Sequence, residues 1–166
     1  YSHPLSLHLF ESDRFHTMIT IQNYINGQFV NAQSNKTLQN TNPAIGQVFS
    51  TIPDSDAADV EMAIQAAKAA FPAWKNISQE KRFMYITKIA DLIEKNLEKF
   101  VEAETTANGT TLNQARTVDI PRAISNLRFF ASAQWNFAGE SYVTPNMGLN
   151  YTLRQPLGVV GCISPW

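Results

Sequence analysis

The chain has one cysteine among 166 residues, and its three histidines (His3, His8 and His16) all fall within the first sixteen. A single thiol closes no internal disulfide, and the histidines stand in no spacing with Cys, Asp or Glu that would suit a metal, so no metal is assigned. A reducing, cytoplasmic setting is the corresponding expectation. Charge of either sign is also scarce: 13 basic and 14 acidic residues leave a formal net charge of -1. There is no basic footprint for nucleic acid and no polybasic patch for a membrane surface, so neither is expected as a partner. No apolar run approaches the roughly 20 residues that a spanning helix needs. Also missing are a G-x-G-x-x-G turn and a G-x-x-x-x-G-K-[ST] loop, the two familiar phosphate cradles.

Hydrophobic residues make up 44% of the chain, close to the roughly 45–50% of globular domains, so a core is available. The opening "YSHPLSLHLFESDRFHT" has no sustained periodicity and is broken by Ser6 and His8. Residues 1–17 are expected to be a disordered extension, with a patterned domain over 18–166. In "NYINGQFVNA", Asn26-Gly27 separates the β-prone runs Asn23–Ile25 and Gln28–Val30. Asn-Gly tolerates positive φ at both turn positions, which predicts a type I′ hairpin. Turn residues Asn42-Pro43 and Gly46 then precede another strand-prone run at Gln47–Ile52.

The period changes after "SDAADV". Val60, Ile64, Ala67 and Phe71 form an apolar stripe, with Ser55 or Asp56 placed to cap the helix and Pro72 expected to end it. A second helix is predicted from Ser78, striped by Phe83, Ile86, Ile89 or Ala90, Ile93 and Leu97. A third, Leu97–Asn108, stops at Asn108-Gly109, a pair suited to a left-handed C-terminal cap. Pro121 splits the next helical stretch into Thr111–Val118 and a helix from about Ile120, whose face carries Ile124, Leu127, Phe130 or Ala131, and Trp135. Asp119 is expected to cap that second piece. Strand chemistry returns at Tyr142-Val143 and Tyr151/Leu153 across the Pro145–Gly148 turn, and Gly158–Ile163 reads as a closing buried strand. Six residues at about 3.3 Å each span roughly 20 Å, enough to cross a sheet.

Cys162 is the obvious nucleophile by residue type, but it lies in an apolar run with no His or Lys beside it, so it is expected to be a small buried hydrophobe. The helix carboxylates Asp91, Glu94, Glu98, Glu102 and Glu104 are expected on solvated faces. Ligands of open α/β sheets bind beyond the carboxyl ends of strands, where Ser164-Pro165-Trp166 would lie.

Together "YINGQFV", "NPAIGQV", "AAKAAFPAW", "DLIEKN", "LRFFA" and "QPLGVVGCISPW" resemble the amino-terminal part of an NAD(P)-dependent aldehyde dehydrogenase, from Ile21 to Trp166. "ARTVDIPRAISNLRFFAS" further resembles the subgroup of 2-aminomuconic and 2-hydroxymuconic semialdehyde dehydrogenases, the family 8 enzymes. The resemblance implies an incomplete α/β fold: hairpin and strands, helices, an oligomerisation-type hairpin over Tyr142–Gln155, and the first strand of a Rossmann-like core. It also implies an aldehyde substrate, NAD as cofactor with NADP left open, and a homo-oligomer at full length. Ile163, Ser164, Pro165 and Trp166 would match the loop that lines the dinucleotide cleft through backbone contacts. In the family a cysteine attacks the aldehyde, hydride passes to the nicotinamide, and a glutamate-assisted water hydrolyses the thioester. Neither the nucleophile nor the glutamate has a match here, so no catalytic residue is assigned. A monovalent-cation position matching Asp119 and the Asn40-Thr41 carbonyls is left open. The expectation is a fragment inactive by itself, continued by "N-x-P" after Trp166. The alternative is a non-catalytic product acting as a binding or oligomerisation module.

Overall fold

The computed structural model describes residues 18–164, so the expected disorder of residues 1–17 lies outside the described residues. Two short strands, β2 (Asn23–Ile25) and β3 (Gln28–Val30), pair antiparallel around Asn26 at φ 51° and Gly27 at φ 77°. Both turn residues hold the positive φ that a type I′ turn requires, as the Asn-Gly pair predicts. A separate three-stranded sheet has β5 (Gln47–Pro53) in the middle, parallel to β1 (Ile19–Thr20) and antiparallel to β4 (Thr37–Asn42). The β4–β5 register shifts between Asn40 and Thr41. Beside that irregularity the Asn40 amide donates to the fully buried Ser50 hydroxyl at 3.1 Å.

Helix α1 (Ala57–Lys75) starts at Asp56, whose carboxylate accepts from the Ala58 amide. Asp59 closes the capping box by accepting from the Asp56 amide at 3.1 Å, and it also takes the Gln33 amide at 3.0 Å. That second bond ties the helix start to the loop after β3, and explains why a carboxylate is only 2% exposed. Pro72 does not end α1. It sits in the final turn, and the helix closes three residues on, where the Asn76 amide reaches the Ala73 and Trp74 carbonyls. The predicted stripe of α1 is only partly covered: Ile64 and Phe71 are half-buried, while Val60 is 56% exposed.

α2 (Gln79–Lys95) is capped by the Ser78 hydroxyl, and α3 (Leu97–Asn108) ends at Gly109 in the left-handed region. At Gly109 a Cβ would come within 2.9 Å of Pro43 Cγ, so both φ and space select glycine. The Pro121 region is resolved differently from the expected split. A single turn, α4 (Leu112–Gln114), runs through a π-helical turn at Ala115–Asp119 into α5 (Ile120–Ala133) without a break. The Ile120 amide bonds to the Ala115 carbonyl, one residue further back than in an α-helix. This widening shifts the carbonyls that the Pro121 ring would otherwise strike, and a proline in the first turn of α5 has no amide to lose. Asp119 is therefore not a cap. It has helical φ and ψ, and among the described residues its carboxylate accepts only from the Gln114 side chain, at 3.3 Å.

α2 and α5 pack antiparallel: Phe83 meets Trp135, in the 3-10 turn Gln134–Asn136 just past α5, at 6.2 Å between ring centroids, and Arg128 meets Asp91 and Glu94. Their seam, with α3 and the π-turn, is the core: Ala90, Val101, Ala115, Ile120 and Ile124 are buried, and Ile93, Leu97 and Leu127 pack against them. The two alternatives left open by helical spacing fall to the small residue, since Ala90 and Ala131 are buried while Ile89 and Phe130 are 50% and 66% exposed. The chain then forms the hairpin of β6 (Ser141–Thr144) and β7 (Gly148–Tyr151).

The expected closing strand does not form: among the described residues Gly158–Ile163 pairs with no strand, and Val160 and Ile163 are 59% and 99% exposed. Cys162 is exposed rather than buried. Both departures have one cause, since a parallel core strand is held by neighbours on its edges and layers on its faces, and the described residues supply neither.

Candidate functional site: the hairpin exit and the cleft beside it

The expected cofactor-lining residues are reached through the β6–β7 hairpin. Gly139 lies where that hairpin closes, and a Cβ there would stand 2.8 Å from the Thr152 carbonyl oxygen. The close approach lets the Thr152 amide donate to the Glu140 carbonyl at 2.9 Å. Two residues on, Arg154 folds back. Its guanidinium carbon lies 4.6 Å from the Phe137 ring centroid, and its Nε donates to the Ala138 carbonyl at 3.4 Å. These contacts fix the direction in which residues 155–164 leave the helical layer.

Ile163 and Ser164 end the described run, both exposed, and their backbone groups make no hydrogen bond among the described residues. Pro165 and Trp166 lie outside the described residues. Their free amides and carbonyls are of the kind that a ligand held through backbone contacts would need, but none of the clefts among the described residues is lined by them. No general base or nucleophile is brought beside them. Cys162 is solvent-exposed, and among the described residues no group of three or more His, Cys, Asp or Glu could hold a metal ion. Asp119 is therefore no part of a multi-carboxylate centre.

Asp91, Glu94 and Glu98 lie on solvated helix faces, as expected, with side chains 59%, 58% and 60% exposed, and each also meets an arginine. Glu98 accepts from Arg116 Nε and Nη2 at 2.9 and 2.7 Å, which ties α3 to the π-turn. Arg128 on α5 donates through Nη2 to Asp91 at 2.8 Å and to Glu94 at 2.6 Å. Hydrogen bonding to these guanidiniums lowers the Glu94 and Glu98 carboxyls below their ordinary value, and the same bonds raise both arginines. The pairs link neighbouring helices, and Glu94 and Arg128 also line a cleft of about 370 Å³ with Leu97, Pro121, Ile124 and Ser125, where each offsets the other's charge.

Sequence spacing gives no sign of a second feature, a cleft of about 480 Å³ between the α1–α2 junction, the end of α5 and the hairpin exit. Trp74, Phe130 and Phe137 supply aromatic walls, Arg82 and Arg154 supply charge, and Gln155-Pro156 form the rim. The residues come from three separated stretches. A second cleft, of about 550 Å³, lies between α2 and α3 and is almost wholly apolar, with Lys99 at its edge.

Comparison with known proteins then places the chain. The sequence profile of the aldehyde dehydrogenase family matches residues 29–166. The 2-aminomuconic semialdehyde dehydrogenase of Danio rerio is 45% identical over 149 residues, covering 89% of this chain and 30% of the relative. Its Homo sapiens counterpart is 39% identical over 150 residues, covering 90% of this chain and 30% of the relative. The aldehyde dehydrogenase of Bacillus cereus, solved as an NAD+ complex, superposes with a TM-score of 0.76 at 31% identity, over 80% of this chain and 27% of that one. The chain thus spans about 30% of the length of the curated relatives it matches. With hairpins, helices and sheet matching the amino-terminal part of that fold, the chain belongs to the aldehyde dehydrogenase family.

Proposed function

We propose that this chain is the amino-terminal part of an enzyme that oxidises a semialdehyde to the carboxylic acid, with NAD or NADP taking the hydride. The observation that carries the reading is the 45% and 39% identity, across nearly the whole chain, to two proteins named as 2-aminomuconic semialdehyde dehydrogenases. Within such an enzyme, Ile163, Ser164, Pro165 and Trp166 form one wall of the dinucleotide cleft and grip it through backbone groups. The free backbone of Ile163 and Ser164 supports that role. The nicotinamide supplies the hydride acceptor when bound. This chain's part is to position it and to hold one side of the cleft closed to water.

The 166-residue chain alone is inactive on this reading, because Cys162 has no base beside it and stands exposed. The test is NAD(P)H formation from 2-aminomuconate semialdehyde or its 2-hydroxy analogue by a family-length form of the protein, with the isolated chain beside it. Turnover by the long form and none by the isolated chain, relative to a heat-denatured control, is expected. An inactive long form with intact fold and bound NAD refutes the assignment. A second reading, a non-catalytic assembly module, is favoured by the open β6–β7 hairpin, whose Val143 and Leu149 are 72% and 65% exposed. It requires a stable, monodisperse complex formed by the isolated chain.

A further inference from the structure

We infer that the cleft between Arg82 and Arg154 is the seat of an acidic segment from the remainder of an aldehyde dehydrogenase family chain, whose carboxylate enters between the two guanidiniums. The inference rests on the proposed reading of the chain as part of a longer enzyme, and adds the surface and the chemistry by which the parts join.

Charge is the first argument. Among the described residues the ion pairs engage Arg116 and Arg128, and neither Arg82 nor Arg154 has an acidic partner. Each is instead braced on an aromatic ring, with Arg82 5.9 Å from the Trp74 centroid and Arg154 4.6 Å from that of Phe137. Two cations that each lie over an aromatic ring and line one concave wall need an anion to offset them once the cleft is covered.

The second argument identifies a polypeptide rather than a simple anion. Gln134, which also lines the cleft, donates from Nε2 to the Ala131 carbonyl at 2.8 Å, but its buried Oε1 has no partner. A stretch of backbone with an acidic side chain matches this lining, since it brings an N–H donor for Gln134 Oε1 as well as a carboxylate for the guanidiniums. Continuity is the third argument. The rim residues Gln155-Pro156 lead directly into residues 158–163, apolar and without a strand partner, so the missing layer belongs on this side of the molecule. About 70% of the length of the matched relatives lies outside the part this chain covers, which is ample to provide that layer.

The test co-expresses the whole 166-residue chain with a tagged Danio rerio 2-aminomuconic semialdehyde dehydrogenase from which the matched 149 residues have been removed. One-to-one association is expected, followed by isothermal titration of the separated parts. The doubly substituted chain, Arg82→Gln with Arg154→Gln, is expected to bind at least about thirtyfold more weakly, the usual consequence of leaving a buried charge unpaired. Arg122→Gln, outside the cleft, serves as the control and retains wild-type affinity. Circular dichroism establishes that the substituted chain keeps its helices. Should it not, the salt response of the wild-type complex decides, since affinity that is indifferent to salt overturns the proposal. Failure of the wild-type parts to associate, or equal binding by the double variant, also overturns it. So does a dimer of this chain alone that the same two substitutions abolish, because the seat then belongs to a second copy. NAD reduction by the reassembled complex is read separately: arginine-dependent association without aldehyde turnover upholds the seat and refutes the proposed function.

Discussion

Val101 is the most informative position at which to test the packing. It is fully buried at the centre of the seam where α3 meets Ala90, Ala115, Ile120 and Ile124. Val101→Ala removes two methyl groups, worth about 1.6 kcal/mol at ~0.8 kcal/mol per buried carbon. If the seam does not collapse, the vacated space of roughly 50 Å³ adds about 1 kcal/mol at ~24 cal/mol per Å³. The expected loss is therefore about 2–3 kcal/mol, a large share of the stability of a domain whose buried cluster is this small. Val60→Ala makes the same chemical change on α1, where the side chain is 56% exposed, and should cost less than about 0.5 kcal/mol. The assay is urea denaturation of the whole chain followed by helix ellipticity, with trimethylamine oxide present to hold the wild type folded. Equal midpoints for the two variants would refute the reasoning, because they would place the core elsewhere than on the α2–α3–α5 seam.

Glycine at two turns separates strain from clash. Gly46→Ala, at φ 68° with open space around the new Cβ, should cost about 1–2 kcal/mol, whereas Gly109→Ala must also displace Pro43 and should cost clearly more by the same urea titration. Asp59→Ala removes the acceptor for both the Gln33 and Asp56 amides and should lower stability by about 2 kcal/mol, with amide exchange at those two positions accelerating most. The lowered Glu94 and Glu98 carboxyls contribute stability that is present above their unfolded value and lost as pH falls through their lower folded value. Arg128→Gln should therefore destabilise modestly near neutrality and converge with the wild type in acid, and added salt should shrink the difference because the pairs are exposed. Cys162 should react with a thiol reagent as fast in the native chain as in urea, and protection in the native state would contradict its exposure.

What the sequence discloses here follows the range of the interactions that determine each feature. The Asn26-Gly27 turn, the helix starts at Ser55 or Asp56 and at Ser78, and the Gly109 stop are set within a turn of chain and readable where they occur, with Asp56 taking the first cap. The stripes of α2 and α5 are also readable, but not which of two adjacent residues enters the seam, because that depends on how near the partner helix lies; Ala90 and Ala131 allow the closer approach. Pro121 announces a disruption, yet whether the chain breaks or widens into a π-turn depends on Ala115 and Ile120 both being held in the core, and Asp119 loses its expected capping role as a result. The β4 strand escapes notice because "TLQNTN" is polar along its whole length, and only pairing with β5 makes it a strand. Gly158–Ile163 is the converse: its composition is that of a buried strand, but a strand is a relation between chains of atoms on both its edges and faces. Without a partner among the described strands its backbone and apolar side chains gain no shelter, which leaves Ile163 99% exposed.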